Sequence, residues 1–333
     1  MRKLLIAGLA AFSLLIGACS GGGEAITVYS GRTENLIGPL LEDFAASTGI
    51  DVEVRYGQSA DLALLIDQEG ERSPADVFIS QSPGAIGFLA ERGRLQPISE
   101  SVLTLVPEEF RNADRLWVGL TGRVRVLVYN RDLVDPADLP DSVVDLTEEQ
   151  YRGKVAVAPA NGSFQDFVTA MREIHGDDVA LEWLKGMAAN GAPTYANNTA
   201  IVQAVARGDV PMGLVNHYYN LRAKVEDPGI PSENYFFPNS DVGSLLIATA
   251  IGVVSSSDSP ELAEKLVEFM LSEQAQRFFS EQTLEYPLAA GVKPAGVLPP
   301  LSTIEVATYD FDRLGGGLER TKELIDASGL EGS

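Results

Sequence analysis

The sequence predicts an α/β protein of two lobes, and three observations predict it. From Ala25 to Arg92, apolar runs of strand length alternate with amphipathic stretches of helical period, an order that builds a largely parallel sheet covered by helices. With 333 residues and 45% hydrophobic content, the chain suits two cores better than one. Leu116 to Asn130 is an apolar run too long for one tidy strand and broken at Thr121-Gly122, and it reads as a crossover from one lobe to the next.

The chain opens with Arg2 and Lys3, an apolar run from Leu4 to Ile16, and small Gly17 and Ala18. That is an export signal, too short for a comfortable membrane span. Ile16-Gly17-Ala18-Cys19 looks like a bacterial lipobox, in which Cys19 is acylated and becomes the new N-terminus; a plain secretory signal with an incidental cysteine is the alternative. Residues 1–18 are then the leader and 19–24 a flexible tether. Cys19 is the sole cysteine, so the mature chain works outside the cytoplasm without a disulfide. The formal charge is −22, and loss of Arg2 and Lys3 with the leader makes it two units more negative, which argues against a nucleic-acid partner. Such a charge draws cations, although a solvated acidic surface explains it equally well.

Ala25 to Tyr29 reads as a buried strand, Ser30 to Thr33 as a turn, and Glu34 to Thr48 as an amphipathic helix with Leu36, Ile37, Leu40, Leu41 and Phe44 inward. Ile50 to Tyr56 alternates like a strand, Ala60 to Glu69 is helical, Ala75 to Ile79 is a buried strand, and Ile86 to Arg92 is helical. Ligands sit beyond the carboxyl ends of such strands, so Ser30 to Thr33 and Ser80 to Ser82 are cleft-edge loops. In the crossover, Arg123 and Arg125 share one side of an extended segment. Both could be solvated edge charges, but on so apolar a run at least one buried or cleft-facing arginine is expected, and a buried arginine wants an anion.

In the second lobe, Lys154 to Ala158 reads as a strand and Asn161-Gly162-Ser163 as a turn opening a helix from Phe164 to Glu173, a natural oxyanion seat. Val179 to Asn190 is helical. Asn197 or Asn198 is most simply a cap for the helix Ala200 to Arg207, with an anion contact as the sharper alternative. Met212 to Val215 is a buried strand and Tyr219 to Glu226 a helix ended by Pro228-Gly229. Beyond it, Ser244 to Val254 returns to the first sheet, Pro260 to Leu271 and Glu273 to Glu281 are helices, Tyr286-Pro287-Leu288 is a sharp turn, and Leu318 to Ala327 is the last helix.

Tyr218 and Tyr219 stand side by side where a buried strand becomes a helix. There the macrodipole and unpaired N–H groups lower the cost of ionising a phenol. Two hard oxygen donors in one cleft outline a ferric-ion grip, although adjacent tyrosines are also ordinary core and surface residues. His217 is expected to be structural and His175 a solvated cap. No Gly-x-Ser-x-Gly elbow and no His-Glu-x-x-His occurs, so an exported hydrolase lacks its usual parts.

ITVYSGRTE (Ile26 to Glu34), TGIDVEV (Thr48 to Val54), SPADVFIS (Ser73 to Ser80), GRVRVLVYN (Gly122 to Asn130), ALEWLKG (Ala180 to Gly186), NHYYN (Asn216 to Asn220) and EYPL (Glu285 to Leu288) follow one another in a known order. In these segments the chain resembles the ferric-ion-binding proteins among bacterial ABC-transporter substrate-binding families, with paired tyrosines as in the transferrins. The resemblance implies the type II periplasmic-binding-protein fold: two mostly parallel sheets flanked by helices and joined by two crossing hinge strands, with lobes 25–122 plus 243–291 and 123–242 plus 292–333. It implies a non-enzymatic carrier that takes Fe(III) on Tyr218 and Tyr219, with carbonate or phosphate as companion anion, and delivers it to a permease in the inner membrane. Arg123, Asn198, Asn216 and the Asn161-Gly162-Ser163 turn match anion-holding positions. The family's extra ligands are absent, with Thr33, Gln81 and Phe164 in their places. Glu34 and Gln81 are the candidates for the remaining coordination positions, and Arg32 is a candidate anion contact. A monomer in the periplasm or on the outer face of the cytoplasmic membrane, held by lipid on Cys19, is expected. The rival is the same scaffold carrying a small organic ligand such as thiamine, or an oxyanion.

Overall fold

A computed structural model describes residues 24–307 and 317–330. The leader, Cys19 and most of the tether lie outside the described residues. The first lobe is built from β1 (Ala25–Ser30), α1 (Glu34–Thr48), β2 (Asp51–Tyr56), α2 (Ser59–Glu69), β3 (Val77–Ser80), α3 (Pro83–Glu91), β4 (Leu95–Gln96) and α4 (Glu100–Leu103). The long strand β5 (Val118–Asn130) leaves it. The second lobe follows with β6 (Val155–Ala156), α5 (Gly162–His175), α6 (Asp177–Ala189), α7 (Asn198–Arg207), β7 (Met212–Asn216), α8 (His217–Glu226) and β8 (Ser232–Tyr235). Then β9 (Leu246–Val254) returns to the first lobe, where α9 (Pro260–Met270), α10 (Glu273–Phe278) and β10 (Tyr286–Pro287) complete it, and α11 (Leu318–Ser328) packs on α5 and α6.

The strand order is β2-β1-β3-β9-β5-β7-β6. Parallel pairing holds where a helix carries the chain back, at β1 with β2 and β3 and at β6 with β7. The two crossings run in opposite directions, and so β5 pairs antiparallel with β9, β7 and β8. The largely parallel sheet expected from the sequence therefore carries an antiparallel centre. Along β5, Val118 to Val124 pair with β9, and from Arg125 onward the partner is β7. The strand changes partners between two residues.

Thr121-Gly122 does not break β5, whose only irregularity is a register shift between Gly119 and Thr121. The glycine there makes room for a neighbour, since a Cβ at Gly122 would lie 3.2 Å from side-chain carbons of Leu246 and Leu288. Nor is Tyr286-Pro287-Leu288 a free turn: Tyr286 and Pro287 pair with Gly122 and Thr121 as β10. Strands β3, β7 and β9 are buried along their whole length, which explains their unbroken apolar runs. Among the described residues, no helix is long and apolar enough to cross a membrane.

Candidate metal and anion site

The two tyrosines occupy the first turn of α8, immediately after buried β7. Their rings stack at 4.2 Å between centroids with 29° between planes. Tyr219 lines a cavity between the lobes, while Tyr218, 4% exposed, lies behind it with the Arg222 guanidinium 4.9 Å over its ring. The helix terminus does not lower the Tyr218 phenol, as the sequence suggested. Desolvation, reinforced by the charge of Tyr219, holds it well above the ordinary value, against the pull of Arg123.

The cavity measures ≈ 250 Å³. The first lobe contributes Gln58 and Ser59 at the start of α2 and Gln81 and Ser82 before α3. The second contributes Arg123, Asn161, Gly162, Ser163, Gln165, Asp166, Asn216 and Tyr219. Helix N-termini thus face it from both sides, the arrangement that favours an anion. Gly31 is what lets the first-lobe wall close up, because a Cβ there would sit 2.0 Å from Ser59 Oγ. That hydroxyl in turn accepts the backbone N–H of Gln81 at 2.9 Å.

Arg123 and Arg125 are both buried. Arg125 Nη1 donates to Ser163 Oγ at 3.3 Å and to Asn216 Oδ1 at 3.2 Å, and desolvation pulls its guanidinium down to about 9. Asn161 caps α5: its Oδ1 accepts the Ser163 N–H at 3.1 Å and the Ser163 hydroxyl at 2.6 Å. Of the asparagine pair, one is the helix cap and the other joins this network. Asn197 caps α7 by accepting from Ala200 N–H, whereas Asn198, 1% exposed, donates to Ser163 Oγ at 3.2 Å. Five donor atoms around this network lack any partner among the described residues: Arg123 Nε and Nη2, Arg125 Nε and Nη2, and Asn216 Nδ2. Buried donors in that state call for an acceptor-rich guest.

Other expected residues lie elsewhere. Arg32 faces away from the cavity: its Nη1 and Nη2 each donate to Glu285 at 3.0 Å, and Nη1 also reaches Thr249 Oγ1 at 3.2 Å. A buried guanidinium takes a carboxylate when one is at hand. Alone, desolvation would raise the Glu285 carboxyl, but Arg32, Arg123 and the Thr121 hydroxyl hold it below its ordinary value. Glu34 is exposed at the start of α1 and does not line the cavity, because the first helical turn points it to solvent. Gln81 does line it. Phe164 packs 5.9 Å from Phe167 and 6.3 Å from Trp183, ring to ring, in the second-lobe core.

His217 is structural, as expected, and its position is telling. Its Nδ1 accepts the Val124 N–H at 3.1 Å, so the proton sits on Nε2, which donates to Leu284 O at 3.0 Å. The imidazole thereby ties α8 to β5 at the lobe change and to the first lobe. Desolvation pushes it down to about 4, so it is neutral.

Asp166 escaped the sequence reading. It is 6% exposed and lines the cavity opposite Ser82. Desolvation raises it to about 7, against Arg123 and Arg125. The available signal was helical spacing: three residues after Ser163, it shares that residue's face of α5.

Residues 72–314 match the family of bacterial extracellular solute-binding proteins. The chain belongs to this family. The solute-binding protein is 32% identical to the major ferric iron-binding protein of Neisseria meningitidis over 96% of its own length and 98% of the relative's. Two solved structures are similar to it: iron-bound HitA from Pseudomonas aeruginosa (TM-score 0.87, 33% identity, 92% of this chain and 100% of that one) and a Trichodesmium protein (IdiA, FutA) in complex with iron and citrate (TM-score 0.82, 33% identity, 92% and 99%). The type II periplasmic-binding fold of this solute-binding protein is therefore established.

Proposed function

We propose that this solute-binding protein carries Fe(III) for an ABC importer, taking it on the Tyr218 and Tyr219 phenolates with a companion carbonate or phosphate on Arg123, Ser163, Asn198 and Asn216. One observation carries the reading: two phenols stacked ring on ring, one of them lining a cavity rimmed by unpartnered donors. The names of the relatives point to the same cargo. Among the described residues no group of three or more His, Cys, Asp or Glu side chains could hold a metal, so a phenolate-plus-anion site is the chemistry this chain offers a hard trivalent ion. The cation displaces the phenol protons and makes strong ligands of groups that burial keeps neutral. Because Tyr218 is protonated in the empty protein, each proton released makes affinity rise about tenfold per pH unit.

The lobes, 25–122 with 243–291 and 123–242 with 292–333, close on the cargo by bending β5 and β9. The loaded monomer then meets its permease, with Cys19 acylated and the protein held at the outer face of the cytoplasmic membrane. A small organic ligand such as thiamine fits less well, since ≈ 250 Å³ falls below the roughly 300–1,000 Å³ of sites for drug-sized molecules. Titration of the purified protein with ferric citrate, with and without carbonate or phosphate, tests the reading. A visible phenolate-to-iron band should grow to one equivalent and vanish in a Tyr218→Phe, Tyr219→Phe variant. Wild-type colour and affinity in that variant would remove the pair from the mechanism. Affinity in it should fall by at least about a hundredfold, since even groups that only orient ligands are worth 10–100-fold.

A further inference from the structure

The anion seat holds more than donors. Alongside the five unpartnered donor atoms of Arg123, Arg125 and Asn216, two buried acceptors also lack partners: Asp166 Oδ2 and Asn198 Oδ1. Both residues are more than nine-tenths buried, and Asp166 lines the cavity itself. Ser82 lines the same cavity from across the cleft, and the carboxylate of Asp166 presents Oδ2 without a partner. Among the described residues, Asp166 is also the only acidic side chain lining this cavity. A guest that only accepts, such as sulfate, satisfies the arginines but sets oxygen against oxygen at Asp166. A guest carrying one proton can donate it there while its other oxygens take the guanidinium N–H groups.

We propose that Asp166 makes this seat selective for a protonated oxyanion, hydrogencarbonate or hydrogenphosphate, and rejects a fully deprotonated one of similar size and charge. The inference rests on the anion seat of the preceding section and does not depend on iron. The cost of an unpaired buried acceptor sets the size of the preference, at least about tenfold.

The test is calorimetric titration of the iron-free protein with phosphate, with hydrogencarbonate and with sulfate at about pH 8, where the first two retain a proton and sulfate has none. Phosphate or hydrogencarbonate should bind at least about tenfold tighter than sulfate, and comparing the two tells which protonated anion the seat prefers. In Asp166→Asn, whose amide can donate to sulfate, the ratio should fall toward one. Ser82→Ala, which leaves the carboxylate in place, should keep the preference. Equal affinities in the wild type, no anion binding without iron, or an unchanged ratio in an Asp166→Asn protein with native circular dichroism would each overturn the proposal. Discrimination that persists in a protein silent to ferric citrate would sink the iron reading and uphold this one.

Discussion

At the scale of single residues, the charges nearest the site divide into those already paired and those left open. Arg32 and Glu285 are each 1% exposed and hydrogen-bonded through both nitrogens and both oxygens. Arg32 leaves its Nε without a partner, whereas Arg123 and Arg125 each leave both Nε and the terminal Nη2. The first pair binds its members to each other, and the second is the one we propose an anion completes. Glu285→Gln should therefore destabilise the protein by about 3–5 kcal/mol, the usual cost of leaving one buried charge unpaired, while the visible band with ferric citrate persists. Urea denaturation measures the first and absorbance the second. A variant of unchanged midpoint would show that the pair contributes nothing net. In sequence, Arg32 and Arg123 are both arginines next to a glycine in a family motif. Nothing local distinguishes them, because what decides is whether Glu285, remote in the chain, arrives beside one of them.

At the scale of elements, the joint between α8 and β5 is the feature to test. Leu284 adopts left-handed φ 56° and ψ 37°, and this turns its carbonyl to His217 and the next side chain, Glu285, to Arg32. The neutral imidazole holds three elements at one point. Its folded value near 4 lies below the roughly 6.5 of an unfolded histidine. Between those values the unfolded chain binds the extra proton, so this contribution is complete above about pH 6.5 and is lost as pH falls toward 4, about 3 kcal/mol in all. Asp166, raised to about 7, acts in the opposite sense over much of the same range, because there the folded state holds the proton. The two offset each other in the wild type, and the comparison must be with His217→Gln. In the metal-free protein, the stability difference between wild type and variant should be largest above pH 6.5 and shrink with acidification. A difference independent of pH would show that the imidazole is not held neutral. The helix and strand containing these residues were legible from period and apolar run length. Their mutual contact was not, since Val124, His217 and Leu284 are far apart in the chain.

At the scale of the whole molecule, the lobes meet through two strands, and the cavity lies between them. Strand β5 changes partners between Val124 and Arg125, and Arg125 N–H donates to Leu245 O at 2.8 Å just before β9 begins. Bending there moves Ser82 and Gln81 relative to Asp166 and Tyr219 without disturbing either core. X-ray scattering should accordingly show a smaller radius of gyration on addition of one equivalent of ferric citrate, and no change in the Tyr218→Phe, Tyr219→Phe variant. An unchanged radius in the coloured wild-type complex would mean that the cleft is already closed when empty.

The sequence by itself determined the alternation of strands and helices, the crossover with its two arginines, the adjacency of Tyr218 and Tyr219 at a strand-to-helix junction, and the small-residue turn before α5. These are local matters, written in spacing, apolar periodicity and turn chemistry. Only the tertiary structure decided that Arg32 belongs to Glu285, that Tyr286-Pro287 is a strand, that burial keeps Tyr218 protonated, and that Asp166 faces the cleft. Each of these depends on which distant group becomes a neighbour and how much water remains between them, and desolvation and pairing energies exist only once the chain has closed on itself.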